Sequence, residues 1–132
     1  MHHFSELDIW IVRGEIKKFL LGLKVGAFLG DGKHFLIRFR KGPALYVSLD
    51  FKDYRVHITK NISVYPLSPW RNENLLKGYI LRDVKVPKGE RVLYLLFSKG
   101  PSFPKKMDRI LAIELTGKFL SLIHILTLPT KA

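Results

Sequence analysis

Two acid–arginine pairs stand at the mouths of apolar runs: Glu90-Arg91 before VLYLLF, and Asp108-Arg109 before ILAIEL. A guanidinium offers a planar fork of donors that fits phosphate or carboxylate, and an adjacent acid can hold that fork in position. More cations fall on alternating positions, with Arg38 and Arg40 in HFLIRFR and Arg55 and His57 in YRVHITK. Lys77 follows in LLKGYIL. Cations interleaved with Phe, Tyr and Trp on strands can pair phosphates while the rings stack bases, as many RNA-binding sheets do. Taken singly, each cation has a plainer reading as a solvated surface charge. For His57 the plainer reading is a part-buried ring hydrogen-bonded within a sheet.

Catalytic chemistry finds little support. The acids are scattered, and no two carboxylates share a spacing that fixes a general acid/base couple. His2, His3, His34, His57 and His124 lie apart, without HExxH or similar metal-binding spacing. There is no glycine-rich phosphate loop, no GxSxG and no cysteine nucleophile. The expectation is a non-catalytic protein that needs no cofactor and no metal.

Composition points the same way. The chain has 132 residues, enough for one domain with a real core. Its 47% apolar and 12% aromatic content excludes a disordered class. Lys and Arg outnumber Asp and Glu by 23 to 11, giving a net charge of +12 and a pI near 10.1. Such an excess favours an anionic partner, nucleic acid first and acidic membrane second. A surface merely solubilised by charge remains the alternative. Without cysteine, neither disulfides nor thiolate metal sites can form, which fits a reducing cytoplasm. No run approaches the roughly 20 apolar residues of a membrane span. Glu6, Asp8 and Arg13 interrupt any secretory leader.

The elements that must position these residues can be read in order. Residues 4–21 predict a helix, with Phe4, Leu7, Ile11, Ile16, Phe19 and Leu20 on one face, Ser5 as N-cap and Gly22 as the stop. Strands are expected over 24–29 and 34–40, joined by the tight turn Gly30-Asp31-Gly32, then over 44–49 and 54–60. Alternation turns Phe35, Ile37 and Phe39 inward, and His34, Leu36, Arg38 and Arg40 outward. It likewise turns Val56 and Ile58 inward, and Arg55 and His57 outward. If the two outward faces coincide, they form a basic patch. A short helix beginning at Arg71 or Asn72 is expected to carry Leu75, Leu76, Tyr79 and Ile80 and to end near Arg82. An edge strand over 83–87 and a paired apolar hairpin over 89–118 complete an α+β pattern. This is mainly antiparallel and sandwich-like, with an N-terminal and a short mid-chain helix.

Several segments, in this order, resemble the N-terminal domain of the NFACT family, which comprises RqcH, NEMF and fibronectin-binding protein A-like ribosome quality-control factors. LDIWIVRGEIKKFLLGLKV is similar to that domain's opening helix and first strand, and YVSLDFKDYRVHIT to its Tyr-Arg-x-His-x-Thr segment, here Tyr54, Arg55, His57 and Thr59. LLKGYIL resembles its short helix. ERVLYLLF followed by IELTGKF resembles its acid–Arg strand and Glu-Leu-x-Gly motif. The resemblance covers residues 4–119, so the division is a partial NFACT-N-like domain over 1–119 and a divergent tail over 120–132, a candidate for non-native sequence.

The resemblance implies a cytoplasmic factor that binds stalled large ribosomal subunits and tRNA. It also implies that one acid–Arg pair handles tRNA. Family order favours Glu90-Arg91 over Asp108-Arg109, although the family's acid is Asp. The short helix keeps only Lys77 of the family's Arg-Lys-His cluster. The RNA-binding residues expected are therefore Arg38, Arg40, Arg55, His57, Lys77, Glu90 and Arg91. Two other classes stay open. The same domain resembles the N-terminal part of formamidopyrimidine-type DNA glycosylases, whose N-terminal Pro is absent here. The family's older name implies a fibronectin-binding adhesin.

Overall fold

The computed structural model describes residues 5–50, 52–61, 66–71, 73–99, 109–115 and 122–127. Asp108, the turn residues 101–106 and residues 116–117 of the Glu-Leu-x-Gly motif lie outside them.

Helix α1 spans Glu6–Phe19. The Ser5 hydroxyl accepts from the Asp8 N–H at 3.2 Å, and the Asp8 carboxylate accepts from the Ser5 N–H at 2.8 Å. This reciprocal capping box satisfies amides that the first helical turn leaves open. Glu6 and Asp8 sit at the positive end of the dipole, and Lys17 and Lys18 at the negative end. The buried face is Ile9, Val12, Ile16 and Leu20. That corrects the expected face, because Leu7, Ile11 and Phe19 are 69%, 53% and 49% exposed. The helix carries two apolar stripes on opposite sides, and the one through Ile9 meets the strands.

Eight strands form two four-stranded antiparallel sheets. The first holds β1 (Val25–Gly30), β2 (His34–Phe39), β3 (Ala44–Ser48) and β4 (Arg55–Thr59), in chain order. The turn between β1 and β2 is built as its letters suggest. Asp31 Oδ1 accepts from the N–H groups of Lys33 and His34 at 2.9 and 2.7 Å, and Gly32 takes φ +98°. Gly30 pairs with Phe35, whose ring would lie 2.5 Å from any Cβ placed there, so only glycine fits.

The second sheet holds β5 (Ile80–Lys85), β6 (Val92–Ser98), β7 (Arg109–Glu114) and β8 (Leu122–Thr127), again in chain order. β8 pairs with β7 from Glu114↔Leu122 to Arg109↔Thr127, so residues 122–127 complete this sheet. The strand expected at 83–87 starts earlier, at Ile80, and lies at the sheet edge. The expected mid-chain helix shrinks accordingly to a 3-10 turn, Glu73–Leu75. Gly78 at φ +88° breaks it, and Tyr79–Leu81 instead bonds backbone to backbone with Leu23–Val25. Those bonds join the two sheets at one corner.

Inward residues of both sheets make one core with α1. Phe28, Phe35, Ile37, Leu45, Val47 and Val56 come from the first sheet; Leu81, Val84, Leu93, Leu95, Phe97, Leu111 and Ile113 come from the second. The β1 edge is also covered. Gly30 N–H donates to Ser68 O and Trp70 N–H to Phe28 O, both at 2.8 Å, while Glu73 Oε2 accepts from Phe28 N–H at 3.2 Å. An edge closed in this way offers no template to a foreign strand.

Candidate nucleic-acid interface

Register decides whether the basic residues share a face. β2 and β3 pair Leu36 with Tyr46, and β3 and β4 pair Tyr46 with His57. A neighbouring row runs His34, Ser48, Arg55, while Arg38 stands two residues beyond Leu36 on β2. Side chains of one parity leave a sheet on one side. Arg38, His34, Tyr46, Arg55 and His57 therefore share the outer face of the first sheet, opposite the core. The two outward faces do coincide.

On that face three rings stand together. Tyr46 lies 6.4 Å from the His34 ring, nearly parallel to it, and 5.1 Å from the His57 ring, tilted by 45°. Arg38 is exposed, and among the described residues no salt bridge reaches it. Arg55 is held differently. Its Nε and Nη2 donate to one Asp53 oxygen at 3.2 and 3.1 Å, which fixes the guanidinium and offsets part of its charge. Strand spacing and rise put Arg38 and Arg55 about 16 Å apart, too far to grip one phosphate but suited to separate ones along a strand. Leu36, between Leu29 and Tyr46 in its row, is buried, so the centre of the face is not open.

Burial governs the charge of His57. Burial pushes the His57 pKa below its ordinary value, and the neighbouring Arg55 pushes it further. The Asp53 and Glu15 charges pull it back only in part. At neutral pH His57 thus contributes a ring rather than a charge. His34 Nδ1 lies 3.0 Å from Asp31 Oδ2. Partial burial raises the pKa of Asp31, but hydrogen bonds from His34 and Lys33, with the His34 charge, outweigh that and lower it.

A pH test follows for His57. The unfolded chain takes up the imidazole proton near pH 6.5, before the folded chain does. Stability should therefore fall as pH drops through that range, and the fall should end below the folded pKa. Denaturant midpoints at several pH values should show a shallower dependence for His57→Gln than for the parent chain. Parallel curves would refute the assignment.

Arg40 keeps the outward parity of Arg38 but lies past the end of β2, and the other expected residues lie elsewhere. Arg40 follows β2, exposed, with its N–H donating to Lys24 O. Lys77 is exposed beyond the 3-10 turn at the β1 edge, on the far side of the sheet from β4. Glu90 and Arg91 belong to the other sheet, at the turn between β5 and β6. There the Glu90 N–H donates to Pro87 O, and Arg91 O accepts from Leu115 N–H. Arg109 pairs with Phe97 and packs its guanidinium 5.1 Å from the Tyr79 ring centre. The seven expected residues thus fall into separate groups, one of which is a face. His34, turned outward but not counted among the expected binding residues, and Tyr46 join it. Strand parity gives His34, but Tyr46 needs the β2–β3 register.

Comparison with solved structures matches this architecture. The fold is similar to that of streptococcal fibronectin-binding protein N-terminal domains. The N-terminal domain of PavA from Streptococcus pneumoniae superposes with a TM-score of 0.75 at 16% identity, over 95% of this chain and 50% of that one. The N-terminal part of the fibronectin/fibrinogen-binding protein FBPS from Streptococcus suis gives 0.72 at 18% identity, over 90% of this chain and 47% of that one. The chain therefore spans about half the length of each. At such identity the likeness concerns the fold alone. No protein-family model matches the sequence, and no curated protein does. No helix among the described residues is long and apolar enough to cross a membrane.

Proposed function

We propose that this chain is a non-catalytic RNA-binding domain of the NFACT type, acting in the cytoplasm on tRNA and stalled large ribosomal subunits. The observation that carries the reading is the common outer face of Arg38, Arg55 and His57 with the His34 and Tyr46 rings. Cations spaced for separate, non-adjacent phosphates, with rings between them, suit an unpaired or loop segment of RNA. The net charge of +12 adds long-range attraction for any polyanion. Glu90-Arg91 is the pair the family resemblance would assign to tRNA, and it lies outside this face.

A second reading has its own support. Both structural neighbours are named for fibronectin binding, so a matrix-binding domain is the rival. The two readings separate in a salt series. Phosphate pairing releases counterions, and the two contacts at Arg38 and Arg55 weaken binding about 7-fold between roughly 50 and 200 mM salt, at a slope of about 0.7 per contact. Purified chain titrated with tRNA and with large ribosomal subunits should show that fall. Affinity for RNA that stays flat with salt would overturn the RNA reading, and tight binding to fibronectin in the same series would establish the rival.

A further inference from the structure

A cleft of about 380 Å³ opens between α1 and the end of β5, away from the face described above. Arg13 and Lys17 line one wall, and residues 83–87 form the other. The strand contributes buried Val84 and Val86 and the exposed cation Lys85. The cleft is thus apolar below and cationic along its rims. Among the described residues no salt bridge reaches Arg13, Lys17 or Lys85. The acid of the cleft, Asp83, accepts from the Val84 N–H at 2.8 Å, a bond that takes up one of its oxygens.

Trp10 lies outside the lining and is joined to it through Arg13. Helical spacing sets Trp10, Arg13 and Lys17 on one side of α1. The Arg13 guanidinium lies 5.0 Å from the Trp10 ring centre, and the indole is 45% exposed. Three cations face the single acid Asp83 in this cleft, and that excess of positive charge favours an anionic ligand. An acidic peptide would satisfy the charges but would leave the exposed indole without a role. A nucleotide uses both, with phosphate on the cations and base on the ring.

We propose that the α1–β5 cleft is a second nucleic-acid site, holding an unpaired nucleotide segment by its phosphates at Arg13, Lys17 and Lys85 and by one base on Trp10. This rests on the RNA-binding reading above and adds a site on a different surface. The β5–β6 turn that carries Glu90 begins at the end of this cleft, where Pro87 O receives the Glu90 N–H. A segment leaving the cleft at that end would pass the Glu90-Arg91 pair.

The chain has two tryptophans, so Trp70→Phe leaves Trp10 as the sole indole reporter. A fluorescein-labelled oligoadenylate of about ten nucleotides, a length within a single-strand binding site, is titrated by anisotropy and by Trp10 emission. Saturable quenching is expected with the oligonucleotide and not with inorganic polyphosphate, which should compete for the cations without stacking. Lys17→Glu with Lys85→Glu should weaken the quenching transition about 25-fold at about 0.1 M salt. Arg38→Glu with Arg55→Glu should leave it within about twofold under the same principle. If Trp70→Phe fails to fold, Trp10→Phe in the parent background reads the same signal by its loss. Anisotropy binding without quenching, or equal quenching by polyphosphate, would overturn the cleft site and leave the RNA reading standing. No anisotropy binding at all would sink both.

Discussion

Phe35→Ala should lower the unfolding free energy by about 3–5 kcal/mol, the range for deleting a fully buried ring. Phe35 is 1% exposed and packs against two other rings. Phe28 lies 5.8 Å away nearly parallel, and Trp70 meets it edge-on at 5.2 Å. It also fills the space over Gly30 at the end of β1. Truncation therefore opens a cavity where β1, β2 and the segment covering the β1 edge meet. Domains of this size hold about 5–15 kcal/mol in total, so the variant should sit near the limit of folding. Urea midpoints for parent, Phe35→Leu and Phe35→Ala should fall in that order. A loss below about 1 kcal/mol for the alanine variant would mean the ring is not the packing centre described here.

Much of this arrangement could be read from local chemistry. Gly30-Asp31-Gly32 announced the first hairpin, because the turn needs a backbone that only glycine adopts freely and an acid to receive two amides. Alternation in HFLIRFR and YRVHITK separated most core positions from surface ones, since a strand between a core and water must alternate, but Leu36, which it turned outward, is buried. Other features depended on what each segment meets. Helix α1 offers one stripe through Leu7 and Ile11 and another through Ile9, Val12 and Ile16, and its own spacing cannot rank them. LLKGYIL has helical spacing, yet Tyr79–Leu81 gains more by bonding to Leu23–Val25 across the corner between sheets. The same limit applied to the site. Parity placed Arg38 and Arg55 on outward faces, but only the pairing of both strands through β3 made those faces one. Nothing in the linear order could separate Glu90-Arg91 from them, because sheet membership is a tertiary property.

Arg38→Glu combined with Arg55→Glu should reduce affinity for tRNA about 25-fold at about 0.1 M salt. Each phosphate contact on a single strand carries about 0.7 decade there through counterion release, and the salt slope should fall by about 1.4. The two residues will not share the loss equally. Arg38 is exposed and free to follow a phosphate, whereas Arg55 is already held by Asp53 and must divide its donors. Arg38→Glu alone should therefore cost more than Arg55→Glu alone. Both sites are at least partly exposed, so melting temperatures should stay close to the parent value, which separates lost contacts from lost fold. Arg91→Ala is the discriminating companion. It lies in the second sheet, so it should leave binding to the first sheet's face nearly unchanged. Should Arg91→Ala remove tRNA binding while the double reversal spares it, the interface would lie at the β5–β6 turn. The ring-bearing face of the first sheet would then be ordinary surface.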